Sequence, residues 1–191
     1  MNIVEPIRDL KKIEAMKRML HKSKRDTLMF VMGINSALRV SDLLKLTVAD
    51  VQDRNGALLR EVTLKEQKTG KVKGFPLNEA VLKALKTYLD ERSQRFAPDP
   101  GEPLFISPKG GRAIDRRQAW RILNEAGKAI GLPHIGTHTL RKTFGYHVFH
   151  KSGGNLALVQ KLLNHSSSGD TLRYIGIDRE QMNAVYLDLN L

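Results

Sequence analysis

The chain has 191 residues, and its 32 Lys and Arg against 20 Asp and Glu give a formal charge of +12 with neutral histidines. That is the length of one domain; with 41% hydrophobic residues it can bury a core, and its 27% charged content is not that of a disordered tail. The lack of cysteine excludes disulfide scaffolds, thiolate-held metal centres and thiol catalysis, while the lack of a long apolar run or an apolar leader disfavours membrane spans and secretion and fits a cytoplasmic protein.

In chain order, Ile7, Leu10, Ile13, Met16 and Leu20 recur at helical steps and predict an amphipathic helix from Pro6 to about His21. Residues 27–34 are apolar almost all round and predict a buried helix. Arg39 follows it, held against the core, and Ser41 is placed to cap a short helix through Asp42 to Leu46. Residues 58–64 and 72–77 read as two strands of a hairpin, with Gly70 supplying the tight turn and Lys68 at the tip. Asn78 caps a helix bearing Val81, Leu82, Leu85, Tyr88 and Leu89, which ends before a proline-rich loop. Residues 104–107 are expected to add a third strand.

Asp115 to Ile130 forms another helix with Trp120, Leu123, Ala126 and Ile130 inward, stopped by Gly131 and Pro133. A helix runs from near Thr137 to Ser152, where Gly153 and Gly154 end it, and Asn155 caps a short one burying Leu156, Val159 and Leu163. A Ser/Gly-rich turn then leads from His165 towards Tyr174. Asp178 and Gln181 form a capping box for a last helix, 178–191, whose Met182, Val185, Tyr186 and Leu189 need a groove. The fold class is therefore mainly α with one small antiparallel β-sheet (α+β).

The charge favours a polyanionic partner, and nucleic acid is the usual one. With only 6 Phe, 4 Tyr and 1 Trp, a base-stacking single-strand platform is disfavoured against a grip on duplex phosphates. His138 and Arg141, three apart, share a helix face near its N-terminus, where backbone amides also favour an anion. Each candidate alone has an ordinary explanation. An HxxR pair on a basic helix is commonly just an exposed face, Arg39 can pair with Asp42, Lys68 can be a solvated turn lysine, and Tyr174 can be packing.

Together they are specific. The order of Arg39 in ALRVSDLL, Lys68 in QKTGK, His138 and Arg141 in HTLRKTFGYH, and His165 and Tyr174 in NHSSSGDTLRYI resembles the catalytic domain of the tyrosine recombinase (phage integrase) family over essentially the whole chain. Two positions depart from the common pattern: Asn164 stands where glycine is frequent, and Lys142 where histidine is often seen.

The chemistry implied by the resemblance explains the residue types. Attack on a phosphodiester builds negative charge on the equatorial oxygens, and two planar guanidiniums, Arg39 and Arg141, can bridge them as a lysine cannot. Tyr174 is the implied nucleophile. With a free pKa of about 10, only about one phenol in a thousand is ionised at neutral pH, so an acceptor is needed. The resemblance gives that role to His138, a phosphate hydrogen bond to His165, and general-acid protonation of the leaving 5′ oxygen to Lys68. The product is a 3′-phosphotyrosyl link that stores the bond energy, so neither ATP nor a metal is required; no Walker-type phosphate loop occurs.

Family members usually carry a helical core-binding domain before this part, whereas 38 residues precede Arg39. The expectation is a single catalytic domain over 1–191 without that core-binding domain, contacting double-stranded DNA through fewer phosphates. The tail helix is expected to dock onto a neighbouring protomer, with docking onto its own domain as the alternative. The competing functions are a noncatalytic DNA-binding module of the same fold and type IB topoisomerase-like relaxation. Metal hydrolysis by His134, His138, His147 and His150 is disfavoured because no carboxylate lies among them.

Overall fold

The computed structural model describes residues 4–68, 70–94, 99–108, 110–176 and 179–189, excluding the side chains of 179–182 and 184. Its first helix, α1 (Leu10–Leu20), begins where the Asp9 carboxylate accepts from the Lys11 amide at 2.8 Å. It is shorter than the apolar stripe suggested. Ile7 lies in the core ahead of the helix, its amide donating to Thr143, whereas Leu10 is 65% exposed rather than inward. Ser23 caps α2 (Lys24–Gly33), whose residues from Leu28 to Gly33 are all buried, as expected of a helix without a polar face.

A residue in the left-handed region, Ala37 at φ 56°, turns the chain out of this helix. Arg39 follows in extended conformation and occupies the N-cap position of α3 (Val40–Leu43). Ser41 is therefore inside the helix rather than its cap, and the helix starts and ends earlier than expected.

Strands β1 (Glu61–Lys65) and β2 (Val72–Pro76) pair antiparallel, with Glu61 opposite Pro76 and Lys65 opposite Val72. They are narrower than predicted because Leu58 is drawn instead to a single bridge with Gln52. Residues 104–107 add no third strand. Between Pro103 and Pro108 the segment makes only isolated bridges, Thr47 with Pro103 and Ile106 with Ala113, as proline's missing donor would favour.

Asn78 caps α4 (Glu79–Ser93), and Asp115 and Gln118 form a capping box for α5 (Arg116–Ala129). Trp120, inward by its spacing, is half exposed; Ala119 takes the core position beside Leu123, and the indole lies by Gly136. Then come α6 (Thr137–Lys151), α7 (Leu156–Leu162) capped by Asn155, α8 (Ser168–Ile175) and α9 (Arg179–Asp188). The Ser/Gly-rich stretch is mostly helix, since the Ser167 hydroxyl caps α8. Asp178 lies outside the described residues, as does the side chain of Gln181, so the expected capping box and the face at Met182 are not described.

Two apolar clusters build the domain. The larger gathers α1, α2, α4 and α5 with Val62 and Phe75 of the sheet. The smaller joins Ala37, Val159, Leu163 and Ile175 with Phe144 and Tyr174, so it packs α7 and α8 against α6. Gly145 permits that approach: a Cβ there would stand 3.2 Å from Leu163 and 3.4 Å from Ile175. The last turn of α8 thus packs beside the middle of α6, and the Tyr174 side chain reaches back to His138 in the first turn. Among the described residues no helix is long and apolar enough to cross a membrane.

Candidate active site

Arg39, Lys68, His138, Arg141, His165 and Tyr174 line one pocket of about 410 Å³, together with Lys142, Asp170 and Arg173. Segments scattered from position 39 to 174 thus converge on a single, strongly basic depression. Lys68 is exposed on the turn after β1, and the other five come from the α3 cap, α6, the α7–α8 turn and α8.

Arg141 is the most deeply held, at 2% exposure. One guanidinium nitrogen donates to the Ala37 carbonyl at 2.6 Å and another to the Leu163 carbonyl. The left-handed residue Ala37 therefore presents its carbonyl to the arginine, and the planar fork ties the start of the α3 segment to the end of α7. Arg39 pairs not with Asp42 but with Glu66, at 3.1 Å, and the same carboxylate oxygen lies 3.9 Å from Arg141. Asp42 instead accepts from the Gln67 amide at 3.0 Å.

The Tyr174 phenol oxygen is 3.0 Å from His138 Nδ1. His165 stacks edge-on against the tyrosine with ring centres 4.9 Å apart, and its Nδ1 lies 3.2 Å from the Thr171 hydroxyl. The Arg141 guanidinium and the Lys142 ammonium lie 5.9 Å and 5.6 Å from the centre of the tyrosine ring.

Burial pushes the Tyr174 phenol above its ordinary value, against the pull of Arg141 and Arg39. At rest Tyr174 is therefore a neutral phenol. Burial, then the positive charges of Arg116, Arg141, Lys142 and Arg39, lowers His138, which keeps the imidazole neutral and able to accept. His165 is lowered further, to about 4, by burial and then Arg141, with Asp170 opposing and Arg39 and Lys68 adding to the effect. Lys73 on β2 falls to about 8, chiefly by burial and then Arg141, while Glu66 raises it. Its ammonium donates to the Leu162 carbonyl at 2.9 Å.

Sequence reasoning missed Glu66, Lys73 and Thr171. Glu66 sits in a charged hairpin that reads as solvated surface, yet its side chain is fully buried. No local pattern distinguishes it, because Arg39 and Asn164, to which its side chain is hydrogen-bonded, are 27 and 98 positions away. Among the described residues no group of three or more histidine or acidic side chains is placed to hold a metal ion, so His134, His138, His147 and His150 form no such cluster.

Two arginines, two histidines, a lysine and a tyrosine gathered in one basic pocket are the residue types, in the chain order, that resemble the tyrosine recombinase catalytic domain. Residues 9–181 match the family described as "Phage integrase family". The chain is 44% identical over 187 residues to the probable integrase/recombinase YoeC of Bacillus subtilis (strain 168), covering 97% of each protein. It is 34% identical over 153 residues to tyrosine recombinase XerC of Pelobacter propionicus (strain DSM 2379 / NBRC 103807 / OttBd1), covering 80% of this chain but 47% of that one. The chain thus spans nearly all of one relative and about half of the XerC proteins it matches. The fold matches the crystal structure of XerA recombinase at a TM-score of 0.73 and 21% identity, covering 97% of this chain and 64% of that one. This chain belongs to the phage integrase family, and it is a site-specific tyrosine recombinase in fold and class.

Proposed function

We propose that this chain cleaves and rejoins double-stranded DNA at specific sites, in integration and related recombination, with Tyr174 as nucleophile. The observation that carries the proposal is the 3.0 Å contact between the Tyr174 hydroxyl and His138 Nδ1 beside Arg39 and Arg141 in one pocket. A phosphodiester seated there places its nonbridging oxygens against two cationic forks, where charge develops during attack.

With its own proton on Nε2, His138 takes the phenol proton on Nδ1 while Tyr174 Oη bonds to phosphorus. The bond from phosphorus to the 5′ oxygen breaks, its electron pair goes to that oxygen, and Lys68 supplies a proton. His165 donates to a nonbridging oxygen, and the approach of the phosphate charge raises its affinity for a proton. The step leaves a 3′-phosphotyrosyl bond and a free 5′ hydroxyl, and attack by a 5′ hydroxyl from a second strand reverses it.

The formal charge of +12 supports a duplex partner, since each phosphate contact releases a counterion. Val185, Tyr186, Leu187 and Leu189 on and just after α9 are 64%, 81%, 81% and 60% exposed. Apolar side chains left uncovered on their own domain support docking of this tail onto a second copy of the chain. A reaction on DNA is consistent with a cytoplasmic protein.

The test is incubation with a pool of nicked duplexes of randomised sequence, in which loss of a short strand traps the cleaved state. A denaturation-resistant adduct on the 3′ side with a free 5′ hydroxyl, absent in Tyr174→Phe, is the expected result. Retention of DNA without an adduct overturns the proposal in favour of a binding module. On supercoiled closed-circular DNA in a parallel incubation, efficient relaxation without exchanged strands favours topoisomerase-like action.

A further inference from the structure

Glu66 lies at the junction of hairpin and site. Its amide donates to the Lys71 carbonyl and its carbonyl accepts from the Gly70 amide, both at 2.9 Å, so it closes the hairpin end that carries Lys68. The side chain turns inward and is fully buried. Oε1 accepts from Arg39 at 3.1 Å, and Oε2 accepts from the Asn164 side-chain amide at 2.9 Å.

Asn164 immediately precedes His165 and has φ 51°, in the left-handed region. Glycine adopts that conformation at least cost, and asparagine is among the few other residues that tolerate it. Asparagine adds what glycine lacks, an amide that reaches across to the hairpin. Lys73 makes a second tie, from β2 to the Leu162 carbonyl at the end of α7.

We propose that Glu66 is a positioning residue which, through Arg39 on one side and Asn164 on the other, sets the Lys68 hairpin in register with the phosphate-binding arginine and the His165 turn. A buried carboxylate persists only where its charge is matched and it is hydrogen-bonded, and here Arg39 and Asn164, from two elements of the site, give one donor to each oxygen. The hairpin end cannot lift without breaking the Asn164 contact, and the His165 turn cannot shift without disturbing the partner of Arg39. The inference rests on the recombinase reading for its kinetic consequence but not for its structural one.

Asn164→Gly is the informative variant, because it frees the backbone at φ 51° while deleting the amide. We expect adduct formation at saturating DNA to slow about tenfold or more, since small misplacements of reacting groups are costly. DNA affinity is expected to stay within about twofold, since phosphate contacts dominate it. Hydrogen exchange at the Gln67 and Gly70 amides is expected to accelerate about fivefold or more as the hairpin end opens locally. Glu66→Met keeps the bulk but removes both acceptor oxygens and shows the same kinetic defect, whereas Glu66→Gln, whose amide an inverted Asn164 amide can still meet, shows a smaller one.

Exchange at the wild-type rate in Asn164→Gly overturns the brace whether or not the protein cleaves DNA. Faster exchange with unchanged cleavage overturns the positioning role. A wild-type protein that forms no adduct overturns the recombinase reading instead, while the exchange result still decides the brace.

Discussion

The hydroxyl of Tyr174 stands 3.0 Å from Nδ1 of His138, which lies 36 positions earlier in the chain. Burial keeps that phenol protonated at rest, and burial, helped by the surrounding positive charge, keeps the imidazole neutral. The pair is set for proton transfer during attack rather than before it. His138→Ala is therefore expected to slow adduct formation by about 10²- to 10⁴-fold at pH 7, the usual contribution of a positioned base. Because the Tyr174 phenol must then lose its proton to solvent hydroxide, the variant's rate should climb steadily towards pH 9 while the wild-type rate is flat. Single-turnover rates against pH check this, and parallel profiles for the two proteins contradict it.

Lys68 is exposed on the hairpin and lines the pocket with the arginines. As the proposed general acid it would be needed only because a 5′ alkoxide is a poor leaving group. Lys68→Ala should lose about 10²- to 10⁴-fold on ordinary DNA and recover most of that loss where sulfur replaces the bridging 5′ oxygen. An equal loss on both substrates would place Lys68 outside proton transfer.

The Arg141 fork is committed to the carbonyls of Ala37 and Leu163 as well as to the pocket. Arg141→Lys cannot satisfy both carbonyls and still face the phosphate, so we expect about 1–3 kcal/mol of lost stability from an unpaired buried carbonyl. Cleavage should fall far more than DNA affinity, because bidentate contact matters most in the transition state. Chemical denaturation, adduct rates and binding isotherms together measure this, and equal losses of rate and affinity contradict it.

Much of the fold is legible locally. Asn78, Asp115 and Asn155 announce their helices as capping residues, and Gly70, at φ 67°, marks the hairpin turn. Errors arise where an apolar residue is not a core residue. Leu10 and Trp120 continue apolar stripes yet face solvent, and residues 104–107 have strand-like composition but no sheet to join. The six candidate site residues are legible through their order along the chain, a family pattern. The contacts that hold them are not, because Glu66 meets Arg39 and Asn164 only after folding.

His165 has a consequence for stability. Its value of about 4 lies below the ordinary 6.5, so between these values the unfolded chain binds a proton that the folded one does not. Its contribution is present in full above about pH 6.5 and is lost as the pH falls towards 4. The thermal midpoint should drop across that window, and His165→Gln should flatten part of the drop. Identical slopes for both proteins contradict the assignment of this acid sensitivity to His165.

The most direct test of the account is the chemical identity of the protein–DNA bond. Trypsin cuts after Arg173 and Arg179, so the adduct trapped on nicked DNA and digested with nuclease should leave a 3′-nucleotide on peptide 174–179, which mass spectrometry reads as a phosphotyrosyl linkage at Tyr174. A nucleotide on any other residue, or joined through its 5′ phosphate, contradicts the mechanism.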